Sequence, residues 1–187
     1  MTTKPIKKGA TYDDLRDVPD HFVAEMFDGE LYATPRPALR HARAASVLGA
    51  ALMGPFDQGR NGPGGWLILD EPELHFGRDV LVPDVAAWRR ERLPRLPPDA
   101  YLTLAPDWVC EVLSTSTEEL DRGKKLRVYA RERVGFVWLI DPQRQTLEVL
   151  SLDGRGTWMK RGALEGRGNV RAEPFDAIEL DLGALWI

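Results

Sequence analysis

The stretch WVCEVLSTSTEELDRGKKLRVYARERVGFVWLI, residues 108–140, decides the fold of this chain. Its two ends, residues 108–113 and 136–140, are apolar on both faces apart from Glu111, which is typical of strands buried on both sides of a sheet. Between them, apolar residues recur at helical spacing over residues 126–134. A strand–helix–strand unit of this kind is a right-handed crossover, so the two strands are expected to be parallel neighbours.

The segments on either side add strands, hairpins and one long helix. We predict these elements in chain order: a hairpin over residues 22–32 with its turn at Asp28-Gly29, a helix over 39–53 that Gly54-Pro55 stops, strands at 66–69 and at 80–88 with an interruption at Pro83, a strand at 146–150 that forms a hairpin with 136–140, a strand near Trp158, and a short strand with a last helical turn at the C-terminus. This order predicts an α/β fold, with a mixed β-sheet core flanked by helices and additional β-hairpins. The length of 187 residues suits a single domain, 1–187, of which residues 1–11 are expected to be flexible.

The net charge of −4 argues against a protein that coats nucleic acid non-specifically, because such proteins are strongly basic. It leaves room for one local basic surface. Two clusters of basic residues, at 89–95 and 122–133, could form such a surface or could simply be solvated.

The chain has one cysteine and three histidines, without the spacing of a zinc site, so a structural disulfide or zinc centre is not expected. Cys110 lies within an apolar run and is expected to be a core residue. The N-terminal segment lacks the apolar core of a signal peptide, and no stretch of about 18 apolar residues occurs. We therefore expect a cytoplasmic location and no membrane span.

Two acidic residues occupy positions where apolar residues are expected. Asp84 follows Leu81-Val82-Pro83, and Glu111 lies in the middle of the apolar strand. A carboxylate on a central strand is costly to bury unless it is paired or binds a metal. Two carboxylates on neighbouring strands can converge on one Mg²⁺ ion, with Mn²⁺ as a substitute. Lys125, on the following helix, could then stabilise negative charge on a phosphate.

Structural explanations stay open for each of these residues. Asp84 could cap the end of a strand, and Glu111 could be a core acid paired with Lys125 or Arg127. Lys125 could form an ordinary i,i+4 pair with Asp121, and His41 could be structural.

Two further pairs of acidic residues, Glu25 with Glu30 and Glu71 with Glu73, are interpreted from their local positions. Glu25 and Glu30 flank the predicted hairpin turn and are expected to be exposed. Glu71 and Glu73 are expected to reach the site together or not at all, because alternate residues of a strand share a face.

Several motifs resemble those of the Uma ("Uma-two") family of "putative restriction endonucleases", part of the PD-(D/E)XK nuclease superfamily. They are Pro83-Asp84, Glu111-Val112-Leu113-Ser114, Asp121-Arg122-Gly123-Lys124-Lys125, the segment 25–30, His41 and the segment 135–142. The resemblance runs from about Tyr12 to the C-terminus, with the motifs in the family's order. It implies a restriction-endonuclease-like fold for the single domain.

The resemblance also implies roles for individual residues. Asp84 and Glu111 match the two metal-binding acids. Leu113 occupies the position where the wider superfamily has its lysine, so the catalytic lysine is expected from the following helix, as Lys125 or alternatively Lys124. Further positions that match the family near the site are Glu25, His41 and Asp121.

The sequence therefore predicts a Mg²⁺-dependent endonuclease that hydrolyses phosphodiester bonds, with DNA as the expected substrate. A homodimer is expected by analogy with other members of the superfamily. A second hypothesis is an inactive nuclease-fold protein that acts as a binding or scaffolding module. A third is a nuclease that cuts RNA.

Overall fold

The computed structural model describes residues 4–186, and its strands and helices follow the order expected from the sequence. In chain order the elements are β1 (Lys7–Lys8), α1 (Tyr12–Arg16), β2 (Phe22–Phe27), β3 (Glu30–Pro35), α2 (Leu39–Leu52), a π-helical turn (Met53–Asp57), β4 (Trp66–Asp70), β5 (Glu73–Phe76), β6 (Asp79–Leu81), β7 (Val85–Arg89), β8 (Tyr101–Leu102), β9 (Trp108–Val112), α3 (Glu118–Leu120), a second π-helical turn (Asp121–Lys125), α4 (Leu126–Arg131), β10 (Phe136–Asp141), β11 (Thr146–Leu152), β12 (Trp158–Glu165), β13 (Asn169–Val170), β14 (Leu180–Asp181) and a 3₁₀ turn (Leu182–Ala184).

The central sheet has six strands in the order β12-β11-β10-β9-β7-β4. β9 and β10 pair in parallel, which confirms the predicted crossover, and Glu111 lies opposite Leu139 in this register. All other pairs in the sheet are antiparallel, including the predicted hairpin of β10 and β11. The predicted mixed β-sheet with flanking helices and additional hairpins is thus confirmed.

A second six-stranded sheet, β1-β3-β2-β6-β5-β8, contains the predicted N-terminal hairpin. Its turn residues Asp28 and Gly29 have φ values of 54° and 75°. Tight hairpin turns with positive φ at both central residues match the twist of the flanking strands, which explains the Asp-Gly pair.

Alternate residues of β9 enter two different apolar cores. Trp108 and Cys110 pack on one face with Leu48 of α2. Val109 and Leu113 belong to the other core, which lies between the two sheets and includes residues of α4. Because side chains alternate along a strand, Glu111 is directed toward this second core. The sequence expectation that Cys110 is a core residue is confirmed.

The helix that connects β9 to β10 runs from α3 through the π-helical turn into α4. Its π-helical turn contains Asp121 and Lys125, both of which are buried. Residues four apart lie on one face of a helix, so Lys125 and Tyr129 both face the sheet that carries Glu111. Single π turns within α-helices are frequent at functional sites.

One detail differs from the predictions, and another adds to them. The α-helix that begins at Leu39 ends at Leu52. Gly54-Pro55 does not stop the helical backbone there, because it lies inside the π-helical turn that follows. In the N-terminal segment, which we expected to be flexible, Lys7 and Lys8 pair with β3, and residues 1–3 lie outside the described part of the chain.

Within residues 4–186, no helix is long and apolar enough to cross a membrane.

Candidate active site

Glu111 lies in the middle of β9 and is almost completely buried. Its Oε2 accepts a hydrogen bond from Nζ of Lys125 at 2.9 Å, and its Oε1 accepts one from the Tyr129 hydroxyl. Burial raises the pKa of Glu111 well above its usual range, and the ammonium of Lys125 opposes this only in part. The carboxylate is therefore held rigidly in an apolar surrounding by two residues of the following helix.

Lys125 lies among three carboxylates. Its Nζ is 2.9 Å from Oε2 of Glu111, 3.0 Å from Oε1 of Glu25 and 3.6 Å from Oδ1 of Asp121, and it also donates to the carbonyl of Val82 at 3.2 Å. Burial alone would lower the pKa of Lys125, but the carboxylates of Glu111 and Glu25 raise it well above its usual range. The side chain is thus a fixed cation in the folded protein.

Asp84 lies in the bend between β6 and β7, just after Pro83. Its Oδ2 accepts a hydrogen bond of 2.6 Å from the backbone N–H of Val112, which follows Glu111 on β9. Its Oδ1 lies 3.3 Å from Nε2 of His41 in the first turn of α2. Asp84 therefore connects the start of β7, the end of β9 and the long helix at one point.

His41 is buried, and within the described chain its Nδ1 has no hydrogen-bond partner. Burial lowers the pKa of His41, but the neighbouring Asp84 raises it, and the net effect is an upward shift. Nε2 of His41 is therefore placed to donate a hydrogen bond to Asp84.

Glu25 and Asp121 complete the cluster from β2 and from the π-helical turn. Oε1 of Glu25 accepts a hydrogen bond of 2.9 Å from the backbone N–H of Val82. Burial raises the pKa of Asp121 to about 6, although Lys125 favours its charged form. Our expectation that Glu25 is exposed was wrong: it lies on the face of β2 that the second core covers, and only 4% of it is accessible.

These side chains line one pocket with room for about 50 Å³ of water-sized groups, and Ser114, Thr117 and Glu71 also border it. The four carboxylates of Glu25, Asp84, Glu111 and Asp121 face one ammonium and one imidazole. The pocket is therefore electronegative. Burial is the main cause of the raised pKa values of Glu111 and Asp121, and the neighbouring carboxylates add to the rise.

The donor set fits Mg²⁺ or Mn²⁺. Both ions prefer carboxylate and water oxygens, and Mg²⁺ keeps several waters, so Asp84 and Glu111 suffice as protein ligands. Each carboxylate oxygen has a second lone pair beyond its present hydrogen bond. Within residues 4–186, no group of three or more His, Cys, Asp and Glu side chains is arranged to hold a metal ion.

The structure separates the two candidate lysines. Nζ of Lys124 lies 3.3 Å from Oε2 of Glu30 and 5.2 Å from the centre of the Tyr32 ring, outside the pocket lining. Leu113, at the superfamily's usual lysine position, is part of the apolar core. Lys125 thus brings an ammonium to Glu111 from the helix, and the i,i+4 pair with Asp121 exists but is buried.

Sequence reasoning missed Tyr129, which donates to Glu111 without lining the pocket, and misjudged Glu71, which borders it. Tyr129 was assigned only to an apolar stripe, although its position four residues after Lys125 was a signal that it faces Glu111. Glu71 borders the pocket without Glu73, which bonds Tyr12 and His75 instead. The expectation that both or neither would approach was wrong, because Glu71 lies between β4 and β5 with a φ of 45°, where strand alternation does not hold.

Comparison with known proteins identifies a matching family and solved structures with a similar fold, one of which is described below. Residues 10–183 match the Uma2 family, described as "Putative restriction endonuclease". No curated protein matches the chain. The fold is similar to a crystal structure described as "a putative nuclease belonging to DUF820" from Anabaena variabilis ATCC 29413, with a TM-score of 0.74, 22% sequence identity and coverage of 94% of this chain and 96% of that chain. At this identity the likeness shows a shared fold.

Proposed function

This chain belongs to the Uma2 family, and from that premise we propose that it is a divalent-metal-dependent endonuclease that hydrolyses phosphodiester bonds in DNA. The observation that carries the proposal is the buried cluster of four carboxylates around Lys125 and His41, which opens into a pocket. A structural core gains nothing from so much uncompensated negative charge, whereas a site for a divalent cation needs it.

Asp84 and Glu111 would hold the cation, as the resemblance to the family implies. A bound Mg²⁺ or Mn²⁺ polarises a phosphate oxygen and lowers the pKa of a bound water. Both carboxylates are already oriented by the protein: the N–H of Val112 and His41 hold Asp84, while Tyr129 and Lys125 hold Glu111. Such supporting hydrogen bonds fix ligand direction before substrate arrives.

Lys125 would act on the phosphate. Its Nζ is held by Glu25 and Asp121 as well as by Glu111, so its charge stays in place without reorganisation when negative charge develops on the phosphate. The high pKa of Lys125 keeps it charged, which suits electrostatic stabilisation and does not suit a role as general base.

A supercoiled-plasmid nicking assay tests the proposal. Glu111→Gln keeps the size of the side chain and removes its charge, so with Mg²⁺ or Mn²⁺ we expect at least the 10- to 100-fold loss that follows removal of a group that orients a metal ligand. EDTA should abolish activity. The matched control is Glu91→Gln, which removes the same charge from an exposed loop residue and should nick at the wild-type rate. Equal activity of Glu111→Gln and wild type would refute the mechanism.

One observation favours the second candidate function, a catalytically inactive nuclease-fold protein that serves as a binding or scaffolding module. Both oxygens of Glu111 and both of Asp84 already have protein partners, as in a closed structural ion cluster. Absence of nicking by wild type over a range of Mg²⁺ and Mn²⁺ concentrations, with DNA binding retained, would favour this function. Cleavage of RNA but not of DNA would show that the proposed substrate is wrong and would favour the RNA nuclease hypothesis.

Assembly and location are part of the same proposal. We expect a homodimer, as superfamily habit implies, and a cytoplasmic enzyme. Sedimentation of the purified chain at micromolar concentration tests the first expectation, and fractionation of the source cells tests the second.

A further inference from the structure

The N-terminal end of α2 and the residues just before it, 36–43, lie beside the candidate site and are basic. Pro37 and His41 of this segment line the pocket, and His41 bonds Asp84. No acidic residue occurs between Glu30 and Asp57, whereas Arg36, Arg40 and Arg43 all fall within that stretch. The first turn of α2 has no acidic side chain and no side-chain cap.

Arg40 and Arg43 have no ion-pair partner among the residues that the structure describes, and both are exposed. Leu39 beside them is 89% exposed, so no described part of the chain covers this turn. Helical residues advance by about 1.5 Å and turn by about 100° each, so Arg40 and Arg43 lie within about 3 Å of His41 along the helix axis but project from the exposed side of α2. Arg36 differs, because it donates to the carbonyl of Asp20 and pairs with Glu71 at 3.6 Å.

The two basic clusters at 89–95 and 122–133 differ from Arg40 and Arg43 in their ion pairing. Four of their eight arginines are neutralised by carboxylates: Arg90 pairs with Asp57, Arg92 with Asp107, Arg122 with Glu118 and Glu148, and Arg131 with Asp79 and Glu132. An arginine already paired in this way has less to gain from a phosphate than one that is not.

The pocket itself creates the need for such a surface. Four carboxylates converge there, and a DNA phosphate must approach them closely for cleavage. Unit charges of one sign repel within the Debye length of about 8 Å at physiological ionic strength. Positive charge beside the pocket offsets this repulsion, and the N–H groups at the start of a helix add to it.

We propose that Arg40 and Arg43 form the surface that holds the backbone phosphates of double-stranded DNA next to the scissile bond. This inference rests on the proposed nuclease function and adds where the substrate lies. Contacts to phosphates position a duplex without reading its sequence, so the surface accounts for binding of many sequences with similar affinity.

The experiment measures binding in a variant that does not cut. In the Glu111→Gln background, fluorescence anisotropy of a labelled 20-base-pair duplex is recorded from 50 to 200 mM salt. Each phosphate contact contributes about 0.9 to the slope of log affinity against log salt, so Arg40→Gln/Arg43→Gln should lower its magnitude by about two. Arg40→Lys/Arg43→Lys keeps the charges and should keep the slope.

The matched control is Arg155→Gln/Arg167→Gln, which makes the same change in net charge at two exposed residues outside the pocket lining. A slope equal to that of the parent in the Arg40/Arg43 variant, or an equal loss in the control, overturns the inference. So does tighter binding of single-stranded RNA than of duplex by the parent. Binding that depends on Arg40 and Arg43, together with no cleavage by wild type, supports this surface and refutes only the nuclease activity.

Discussion

The hydrogen bond between Tyr129 and Glu111 gives the sharpest test of the buried cluster. Among the described residues, the Tyr129 hydroxyl is the one donor to Oε1 of Glu111, since Lys125 bonds the other oxygen. Tyr129 and Glu111 are both buried. Tyr129→Phe removes a single oxygen atom and keeps the ring in the core, so it isolates this contact.

The expected cost follows from the burial of the pair. A hydrogen bond to a charged group is worth about 1.5–3 kcal/mol, and a buried acceptor that loses its donor gains no water in exchange. For a chain of this size, each kcal/mol lowers the melting temperature by about 2–4 °C. We therefore expect the free energy of unfolding of Tyr129→Phe to fall by about 2 kcal/mol and its melting temperature by about 4–8 °C.

Urea denaturation gives the free energy, and a double-mutant cycle with Glu111→Leu isolates the pairwise coupling, expected at about 1 kcal/mol or more. Tyr101→Phe is the control, because the Tyr101 hydroxyl makes no hydrogen bond within residues 4–186, while its ring contacts the rings of Tyr12 and His75. If Tyr129→Phe and Tyr101→Phe cost the same within about 0.5 kcal/mol, or the coupling is near zero, the hydrogen bond does not stabilise the cluster.

Two further predictions concern protons and metal. Burial raises the folded-state pKa of Asp121 from the ordinary value of 3.8 to about 6, so its stabilising contribution is present below pH 3.8 and is lost as pH rises through 6. In wild type, the free energy of unfolding should therefore decline by an amount on the order of 3 kcal/mol between pH 4 and pH 7. Urea titrations of Asp121→Asn over the same pH range should lack this decline. Mg²⁺ at tenfold excess over its dissociation constant should stabilise wild type by about 1.4 kcal/mol in thermal unfolding, and an equal gain in Asp84→Asn would contradict the assigned ligand.

The site could be predicted in part because its acidic residues break local patterns. Glu111 interrupts an apolar strand, and Asp84 follows a proline between two apolar segments, so each is visible within a few residues of sequence. Lys125 had weaker support, since a lysine four residues after an aspartate is also an ordinary surface pair. Its burial depends on the π-helical turn and the sheet beneath it.

Other members of the cluster had no local signal. Glu25 flanks a hairpin turn, and a glutamate there is exposed unless another layer covers it. The second core supplies that cover and places Oε1 of Glu25 3.0 Å from Lys125. Arg40 and Arg43 form no dense cluster and gave no local signal, whereas half of the arginines in the clusters at 89–95 and 122–133 pair with acids, among them Arg90 with Asp57 and Arg122 with Glu148.

The sequence by itself determined the crossover of residues 108–140, the hairpins and the two acidic positions, because these depend on periodicity and turn chemistry over short distances. Only the tertiary structure decided which charges meet. Ion pairs such as Lys125 with Glu25 join residues far apart along the chain, and burial, which sets their pKa values, is a property of the packed layers. No local pattern reports that a second sheet closes over a strand, and that closure turns isolated acids into one electronegative pocket.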